Sequence, residues 1–336
     1  MIELAQQAER VLAPDVWAYL MRGASTGESP WERWRFAPRV LRDVRSIDTT
    51  TNALGAWRSP IGIAPTAFHR LVHPGGETAT ARAAAECGAP FVLSMRATSR
   101  IEEVAAAIDG PWWQQVYLMR DRTITDALVQ RAATAGATAL VLTGDTPYVG
   151  RSGGRGLPPL DDDLALVNVA QHLPPGTDDA WAAIEQDAGA VLEDIGRLAD
   201  LTGLPVIVKG VLRADEARRC VDVGAAGVWV SDHGGRQLGR TVAPAQALPG
   251  IAAAVGADAT VLVDGDVRDG LDALAALALG ADAVFVGRPI LWGLAVSGAD
   301  GVRSVLTGLH DELRHAMGLA GAVRLDELTP DLVVPS

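Results

Sequence analysis

The segment VWVSDHGGRQLGR, residues 228–240, contains the side chains with the clearest chemical potential. Residues suited to a buried strand lead into His233, a pair of glycines and Arg236. An imidazole can hold a free lone pair near neutral pH and act as a general base, and an arginine binds carboxylates through charge-assisted hydrogen bonds. Glycine lets a ligand approach the backbone closely. The segment therefore predicts a base and a carboxylate anchor on a loop that follows a strand.

Other residues are placed to assist this pair. Asp145, at another predicted strand end, is expected to orient His233 and to stabilise its imidazolium form. Tyr19 or Tyr117 is expected to hold a substrate carboxylate together with Arg236. The alternative for His233, a hydrogen-bonded loop residue without a catalytic role, stays open at this point.

Lys209 ends the otherwise apolar run PVIVKG. A buried lysine without a partner is costly, so it should face an anion or have a depressed pKa. Its interpretations are a salt bridge to a neighbouring strand-end carboxylate, a Schiff-base nucleophile, or a cation that stabilises negative charge on a cofactor ring.

Two glycine–arginine turns predict an anion site. DGDVRDG (264–270) and GRP (287–289) follow adjacent predicted strands, and backbone N–H groups with Arg268 and Arg288 suit a phosphate dianion. The alternative is that both arginines pair with surface carboxylates.

Strands and helices that would position these residues alternate along the chain. The short, nearly continuous apolar runs suit parallel strands buried on both faces, and several intervening helical segments end in a glycine. This alternation predicts an α/β fold, a (β/α)8 TIM barrel, as a single domain over 1–336. It has an N-terminal helical extension (1–58) and a long mobile loop or lid (150–180) after the fourth strand. The predicted strands are 61–64, 91–94, 112–117, 139–144, 205–210, 227–232, 260–265 and 283–288.

Chemistry in such a barrel collects at the C-terminal ends of the strands. The strand ends here are far more polar than the strand bodies, so we expect one active site on that face. Its expected residues are Pro65, Thr66, Ala67, Ser94, Tyr117, Thr143, Asp145, Lys209, Asp232, His233, Asp264 to Arg268, Gly287 and Arg288.

Composition excludes several classes of function. Lys plus Arg is 29 and Asp plus Glu is 41, giving a formal charge of −12, which disfavours nucleic acid and membrane surfaces. There is no long apolar run and no signal-peptide pattern at the N-terminus. The cysteines, Cys87 and Cys220, are expected to be free thiols of a cytoplasmic protein. The remaining histidines and the DDD run at 161–163 lack metal-ligand spacing, so no metal site is predicted.

The sequence resembles the FMN-dependent α-hydroxy acid oxidases and dehydrogenases, the family that contains glycolate oxidase, lactate oxidase and the mandelate-oxidising enzymes. The resemblance runs over nearly the whole chain. It is most specific in VSDHGGRQL and in the pair VDGDVRDG and VGRP. Further matching segments are RFAPRVLRDV, IAPTAFHRLVHPGGE, QVY, LTGDTPYVGR, LPVIVKGVL and LRHAMGLAGA.

The resemblance implies FMN as cofactor and assigns roles to matching residues. His233 is the implied base, Asp145 its carboxylate partner, and Arg236 the substrate-carboxylate arginine. Tyr19 and Tyr117 are implied on the substrate side, and Lys209 beside flavin N1. The remaining implied flavin contacts are Pro65, Thr66, Ala67, Ser94, Gln115, Thr143, Ser231, Asp264, Gly265, Arg268, Gly287 and Arg288. A homo-oligomer, a tetramer, is implied as well.

The chain also departs from the family pattern. Asp232 stands where Asn is usual, Gly239 where Asp is usual, and Asp266 where a second Gly is usual. Ser152 replaces a substrate-facing arginine, whereas Arg96 occupies a position that is often aromatic or small. We hypothesise that Arg96 supplies the missing cation from another loop and contacts the substrate.

The sequence thus predicts an (S)-2-hydroxy-acid oxidase or dehydrogenase that converts the α-carbon of a 2-hydroxy acid to a 2-oxo acid. The substrate is expected to be bulky, aromatic or otherwise unusual, as in specialised metabolism. Oxygen or another acceptor, and hydride or carbanion transfer, remain equally compatible with the sequence. Rival hypotheses are a flavin-free lyase that uses Lys209 as a Schiff base and a flavin-binding protein without turnover.

Overall fold

A closed parallel barrel forms the centre of the molecule, which we describe from a computed structural model covering residues 1–25, 27–150, 156 and 158–336. Barrel strands β2 to β9 pair in parallel, and a bridge between Ile63 and Phe91 links β2 to β3. The backbone N–H of Ile63 donates to the Pro90 carbonyl across this seam at 2.8 Å. The predicted (β/α)8 barrel is therefore confirmed. The strands are β1 (Trp34–Phe36), β2 (Ile61–Ile63), β3 (Val92–Leu93), β4 (Trp113–Val116), β5 (Ala139–Thr143), β6 (Val206–Val211), β7 (Gly227–Val230), β8 (Thr260–Val263), β9 (Ala283–Val286) and β10 (Val333–Pro335).

Helices cover the outside of the barrel. Left-handed glycines end several of them, as at Gly88 and Gly203, because glycine tolerates the positive φ of a helix C-cap. Among the described residues, no helix has both the length and the apolar character needed to cross a membrane. The helices are α1 (Ile2–Val11), α2 (Pro14–Leu20), α3 (Gly76–Cys87), α4 (Ile101–Ala105), α5 (Arg122–Thr134), α6 (Asp162–Ala165), α7 (Ala180–Ala183), α8 (Glu193–Thr202), α9 (Ala214–Asp222), α10 (Pro244–Val255), α11 (Gly270–Ala278) and α12 (Arg288–Ala320).

Large aromatic side chains fill the barrel interior. Trp113, Trp229 and Phe285 are fully buried, and the Trp229 and Phe285 rings lie 4.1 Å apart. Trp57 packs edge-on against Trp113. Nζ of Lys209 lies 5.3 Å from the centre of the Trp229 ring. The aromatic layer thus supports the lysine from below and separates the functional face from the rest of the core.

The N-terminal segment and the long connection after β5 both reach the C-terminal face of the barrel. Within 1–58, α1 and α2 precede β1, which pairs antiparallel with β10, and the Trp31 indole N–H donates to the Gly265 carbonyl at 2.8 Å. In the long connection, a bridge between Met119 and Gln186 fixes the segment after α7. Ser152 and its neighbours at 151–155 and 157 lie outside the described residues. The division of the domain into extension, barrel and lid stays a prediction.

Candidate active site

A cavity of about 590 Å³ opens at the C-terminal ends of the barrel strands. Nearly all of the predicted site residues line it, although they come from every part of the chain. Asp145 and Ser231 lie directly behind the lining and act on lining residues. The predicted residues in the lining are Tyr19, Pro65, Thr66, Ala67, Ser94, Arg96, Gln115, Tyr117, Thr143, Lys209, His233, Arg236, Asp264, Gly265, Arg268, Gly287 and Arg288.

The histidine on the loop after β7 has a carboxylate partner. Nδ1 of His233 lies 3.2 Å from Oδ1 of Asp145, and both side chains are largely buried. Burial would raise the pKa of Asp145, but the hydrogen bond and the charge of His233 hold that pKa below its usual value. An Nδ1–H group that donates to Asp145 leaves Nε2 with its lone pair, the form a general base requires.

Glycines after the histidine are required by the backbone. Gly235 has a φ of +72°, and a Cβ there would lie 2.2 Å from the carbonyl oxygen of Gly23. The loop after β7 therefore packs directly against the chain that follows α2. This contact brings Tyr19 next to the histidine loop.

Arg236 is held in place by the end of α2. Its Nη1 donates to the Tyr19 carbonyl at 2.9 Å, and its guanidinium carbon lies 4.7 Å from the centre of the Tyr19 ring. Burial raises the pKa of both Tyr19 and Tyr117 above the ordinary phenol value. Both phenols therefore remain neutral hydrogen-bond donors at physiological pH and are able to bind a carboxylate beside Arg236.

Lys209 forms the salt bridge that was one of its predicted interpretations. Nζ lies 2.9 Å from Oδ2 of Asp264 and donates to Oγ of Ser231 at 2.6 Å. An ammonium held in this way offers no lone pair to a carbonyl, which disfavours the Schiff-base interpretation. The other carboxylate oxygen of Asp264 is buried without a hydrogen-bond partner among the described residues.

A polar row crosses the ends of β3, β4 and β5. Nε2 of Gln115 donates to Oγ1 of Thr143 at 2.9 Å, and its Oε1 accepts from Oγ of Ser94. Thr66, on the loop after β2, is also fixed because its Oγ1 lies 2.7 Å from Nε2 of the buried His69. These groups give the cavity a wall of preorganised donors and acceptors.

Arginines concentrate at the opposite wall. Arg288 begins α12 and donates to the carbonyls of Leu20, Arg22 and Gly234. Burial, together with repulsion from Arg236 and Arg268, lowers the pKa of Arg288 to about 10. A bound dianion would relieve this repulsion, so the phosphate of the implied FMN fits these residues.

The two unusual carboxylates near this wall are both engaged. Asp266 forms a 2.8 Å ion pair with Arg268, so its charge is directed at a cation. Asp232 accepts from the Gly234 N–H at 2.9 Å and lies outside the cavity lining. Burial and the neighbouring Asp264 raise the pKa of Asp232.

Arg96 lines the cavity, and its two terminal nitrogens differ in their hydrogen bonds. Its Nη2 donates to the Ile184 carbonyl at 2.6 Å, and its guanidinium carbon lies 5.9 Å from the Trp181 ring centre. Burial lowers its pKa. Its Nη1 is buried without a hydrogen-bond partner in the described parts of the chain.

Several cavity residues were missed by the sequence reasoning. Arg22 had a usable signal, because it follows Tyr19 by three residues at the end of a helix and so shares its face. Asp179, Trp181 and Gln186 had none, since they belong to an irregular connection far from any strand end. Trp181 is 36% exposed and is not one of the packing tryptophans.

Other candidate groups have structural partners. His69 hydrogen-bonds to both Thr66 and Thr80. Cys87 and Cys220 form no disulfide. Asp161 caps α6, and Asp162 accepts from the Trp181 indole. Across the ranges that the structure describes, no group of three or more His, Cys, Asp or Glu residues has the arrangement of a metal site.

The chain is similar to known FMN-dependent enzymes over almost its whole length. A family model described as FMN-dependent dehydrogenase matches residues 8–335. L-lactate oxidase of Nostoc sp. is 41% identical over 352 residues, covering 98% of this chain and 96% of that protein. 4-Hydroxymandelate oxidase of Amycolatopsis orientalis is 40% identical over 338 residues, covering 95% and 93%. A crystal structure of mandelate oxidase superposes with a TM-score of 0.88 at 39% identity, covering 100% of this chain and 97% of the other.

Proposed function

The chain belongs to the FMN-dependent dehydrogenase family, whose activity is the oxidation of 2-hydroxy acids, and we propose that His233 is its catalytic base. The observation that carries this proposal is the His233–Asp145 pair, which lies beside Arg236 in one cavity. The substrate loses two electrons and two protons as its α-carbon becomes a carbonyl. When bound, FMN would supply the acceptor for the two electrons and for one of the two protons.

Substrate binding falls to Arg236 and the two phenols. Arg236, with Tyr19 and Tyr117, holds the substrate carboxylate, which places the α-carbon near Nε2 of His233. His233 accepts one proton from the substrate, and Asp145 stabilises the imidazolium that forms. Proton transfer of this kind contributes about 10²- to 10⁴-fold to an enzymatic rate.

The cofactor is held by two groups of residues. Arg268 and Arg288 would bind the phosphate, whose negative charge would offset the repulsion between the two arginines. Lys209 places a positive charge at the centre of the barrel mouth, where it favours an anionic ring. The residues proposed for the remaining contacts are Pro65, Thr66, Ala67, Ser94, Gln115, Thr143, Asp264, Gly265 and Gly287. Ser231 contributes indirectly, through its hydrogen bond to Lys209.

The part of the cavity beside Arg96 supports a large substrate side chain. Trp181 and Gln186 line the cavity, and the Trp181 ring lies beside Arg96 and offers an aromatic face. 4-Hydroxymandelate oxidase, which is 40% identical to this chain, has a name that specifies an aromatic hydroxy acid. We therefore keep a bulky or aromatic 2-hydroxy acid as the proposed substrate. Oxygen or another electron acceptor, a cytoplasmic location and a homo-oligomer remain proposals from the sequence.

One experiment separates the proposed function from its rivals. The visible spectrum of the purified protein is recorded, and a panel of 2-hydroxy and 2-amino acids is then added without oxygen. The proposal expects a yellow protein whose flavin absorbance bleaches with one or more 2-hydroxy acids. A colourless protein that borohydride traps with a substrate would support the Lys209 lyase. A yellow protein that no hydroxy acid bleaches would support a flavin-binding protein without turnover.

A further inference from the structure

The unpartnered nitrogen of Arg96 points to a substrate group that the proposed function does not yet use. Arg96 is anchored through Nη2 to the Ile184 carbonyl and lies near the Trp181 ring, whereas Nη1 is buried and lacks a hydrogen-bond partner among the described residues. Leaving a buried charged donor unsatisfied is costly. The site is therefore completed by a ligand that brings an acceptor to Nη1.

No carboxylate in the cavity lining satisfies Arg96. Asp264 pairs with Lys209, and Asp266 pairs with Arg268. Glu185 pairs with Arg120, outside the lining, at 2.6 Å. The remaining lining carboxylate, Asp179, accepts from the Ala182 N–H at the start of α7. Among the described residues, no carboxylate of the cavity lining is therefore left to pair with Arg96.

Barrel topology places Arg96 opposite the proposed carboxylate anchor. Arg96 follows β3 and Arg236 follows β7, and these strands are four positions apart in the closed eight-stranded order. Strands four apart in an eight-stranded barrel lie on opposite sides of its mouth. The neutral phenols lie between, because both arginines act electrostatically on Tyr19 and on Tyr117.

Three arginines of the cavity already have an anionic partner in the proposed function. The FMN phosphate uses Arg268 and Arg288, and the α-carboxylate uses Arg236. A monocarboxylate substrate leaves Arg96 unsatisfied, whereas a substrate with an anionic group at each end satisfies both arginines.

We propose that the substrate is a 2-hydroxy acid with a second carboxylate at the far end of its side chain, bound by Nη1 of Arg96. This proposal rests on the proposed function. It specifies only the group at the end of the substrate side chain, so the rest of that side chain can be aliphatic or aromatic. The Trp181 ring beside Arg96 suits a flat or extended side chain that leads to the second carboxylate.

Matched pairs of acids test this proposal on the flavin-loaded protein. The pairs are malate with 2-hydroxybutyrate, 2-hydroxyglutarate with 2-hydroxyvalerate, and 4-carboxymandelate with mandelate. We expect at least one diacid to be oxidised with a kcat/KM at least tenfold above that of its matched monoacid. Removing one partner of a buried, hydrogen-bonded charge pair is expected to cost on the order of 100-fold in binding. R96Q should therefore lower the diacid kcat/KM by about 100-fold and collapse the diacid-to-monoacid ratio.

A binding measurement and two further variants complete the test. The Kd of succinate and of butyrate is measured from the change in the flavin spectrum, and R96Q should weaken succinate far more than butyrate. R96K should recover part of the succinate affinity, since it restores the charge without the planar fork. R100Q is the matched control. It removes an exposed cation four residues further along the same loop, outside the cavity lining, and should leave the ratio of the two Kd values unchanged.

The outcomes distinguish the two proposals. If monoacids and diacids bleach the flavin equally well and R96Q leaves their ratio unchanged, the second carboxylate is refuted while the proposed function stands. If R96Q and R100Q change the ratio equally, general electrostatics rather than a contact at Nη1 is responsible, and the proposal is also refuted. If no hydroxy acid bleaches the flavin, the proposed function itself fails.

Discussion

Replacing Asp145 tests whether the His233–Asp145 pair supports the proton-transfer step. Nδ1 of His233 lies 3.2 Å from Oδ1 of Asp145, and the side chains of His233 and Asp145 are 21% and 16% exposed. At an effective dielectric constant of ~20, unit charges at this separation attract by about 5 kcal/mol. Partial exposure screens the attraction to roughly 3 kcal/mol, which corresponds to a rate loss on the order of 100-fold.

Two substitutions separate charge from tautomer. D145A removes the charge but leaves the imidazole free to choose its protonated nitrogen, so we expect a loss of about 100-fold. D145N also offers an amide N–H to Nδ1, which favours the tautomer that carries its proton on Nε2 and lacks a lone pair there. D145N should therefore be the slower variant. The assay is the anaerobic rate of flavin reduction at saturating substrate, followed by stopped-flow absorbance.

Controls make this result interpretable. D258N changes a surface carboxylate paired with Arg218 and should reduce the flavin at the wild-type rate. The Kd of a non-oxidisable carboxylate, read from the flavin spectrum, should change little in either Asp145 variant. If D145A and D145N both stay within threefold of the wild-type rate, the role assigned to Asp145 is wrong. The role is also wrong if only the Kd changes.

Three further predictions concern other parts of the site and fold. R288Q should weaken FMN binding by about 100-fold, since a buried charge-assisted contact to the phosphate is lost; fluorescence titration of the deflavinated protein measures this. Burial and the neighbouring Asp269 raise the pKa of Asp272 to about 7. The folded state therefore binds the Asp272 proton more tightly than the unfolded state does. The free energy of unfolding should fall as the pH rises from about 4 to about 7 and then level off. The thermal midpoint of D272N should lack this part of the pH dependence. G235A should destabilise the protein by about 1–3 kcal/mol because a Cβ there would lie 2.2 Å from the Gly23 carbonyl oxygen. G250A, which meets no atom within 4 Å, is its control, and equal thermal midpoints for the two variants would contradict the prediction.

Sequence reasoning recovered the barrel because most of its strands carry the same local signal. Runs such as ALVLT at β5 and AVFV at β9 are continuously apolar, as expected for strands buried on both faces. The residues that line the cavity could be anticipated for a related reason, because polar residues such as Lys209 and His233 follow those runs at their C-terminal ends. The closure of β2 onto β3 through Ile63 and Phe91 had no local signal, since it joins segments whose pairing depends on the curvature of the whole sheet.

The sequence alone determined the chemical inventory of this protein: a histidine and an arginine on one loop, a lysine at the end of an apolar strand, two glycine–arginine turns, and polar residues at the ends of the other strands. These features are local, because each can be recognised from a few neighbouring residues. The tertiary structure decided which side chains pair with one another and which line the cavity. It paired Lys209 with Asp264, turned Asp266 toward Arg268, and brought Trp181 to the cavity. It also set Arg96 across the mouth from Arg236, because the separation of two side chains in a closed barrel depends on the circular order of its strands rather than on distance along the chain.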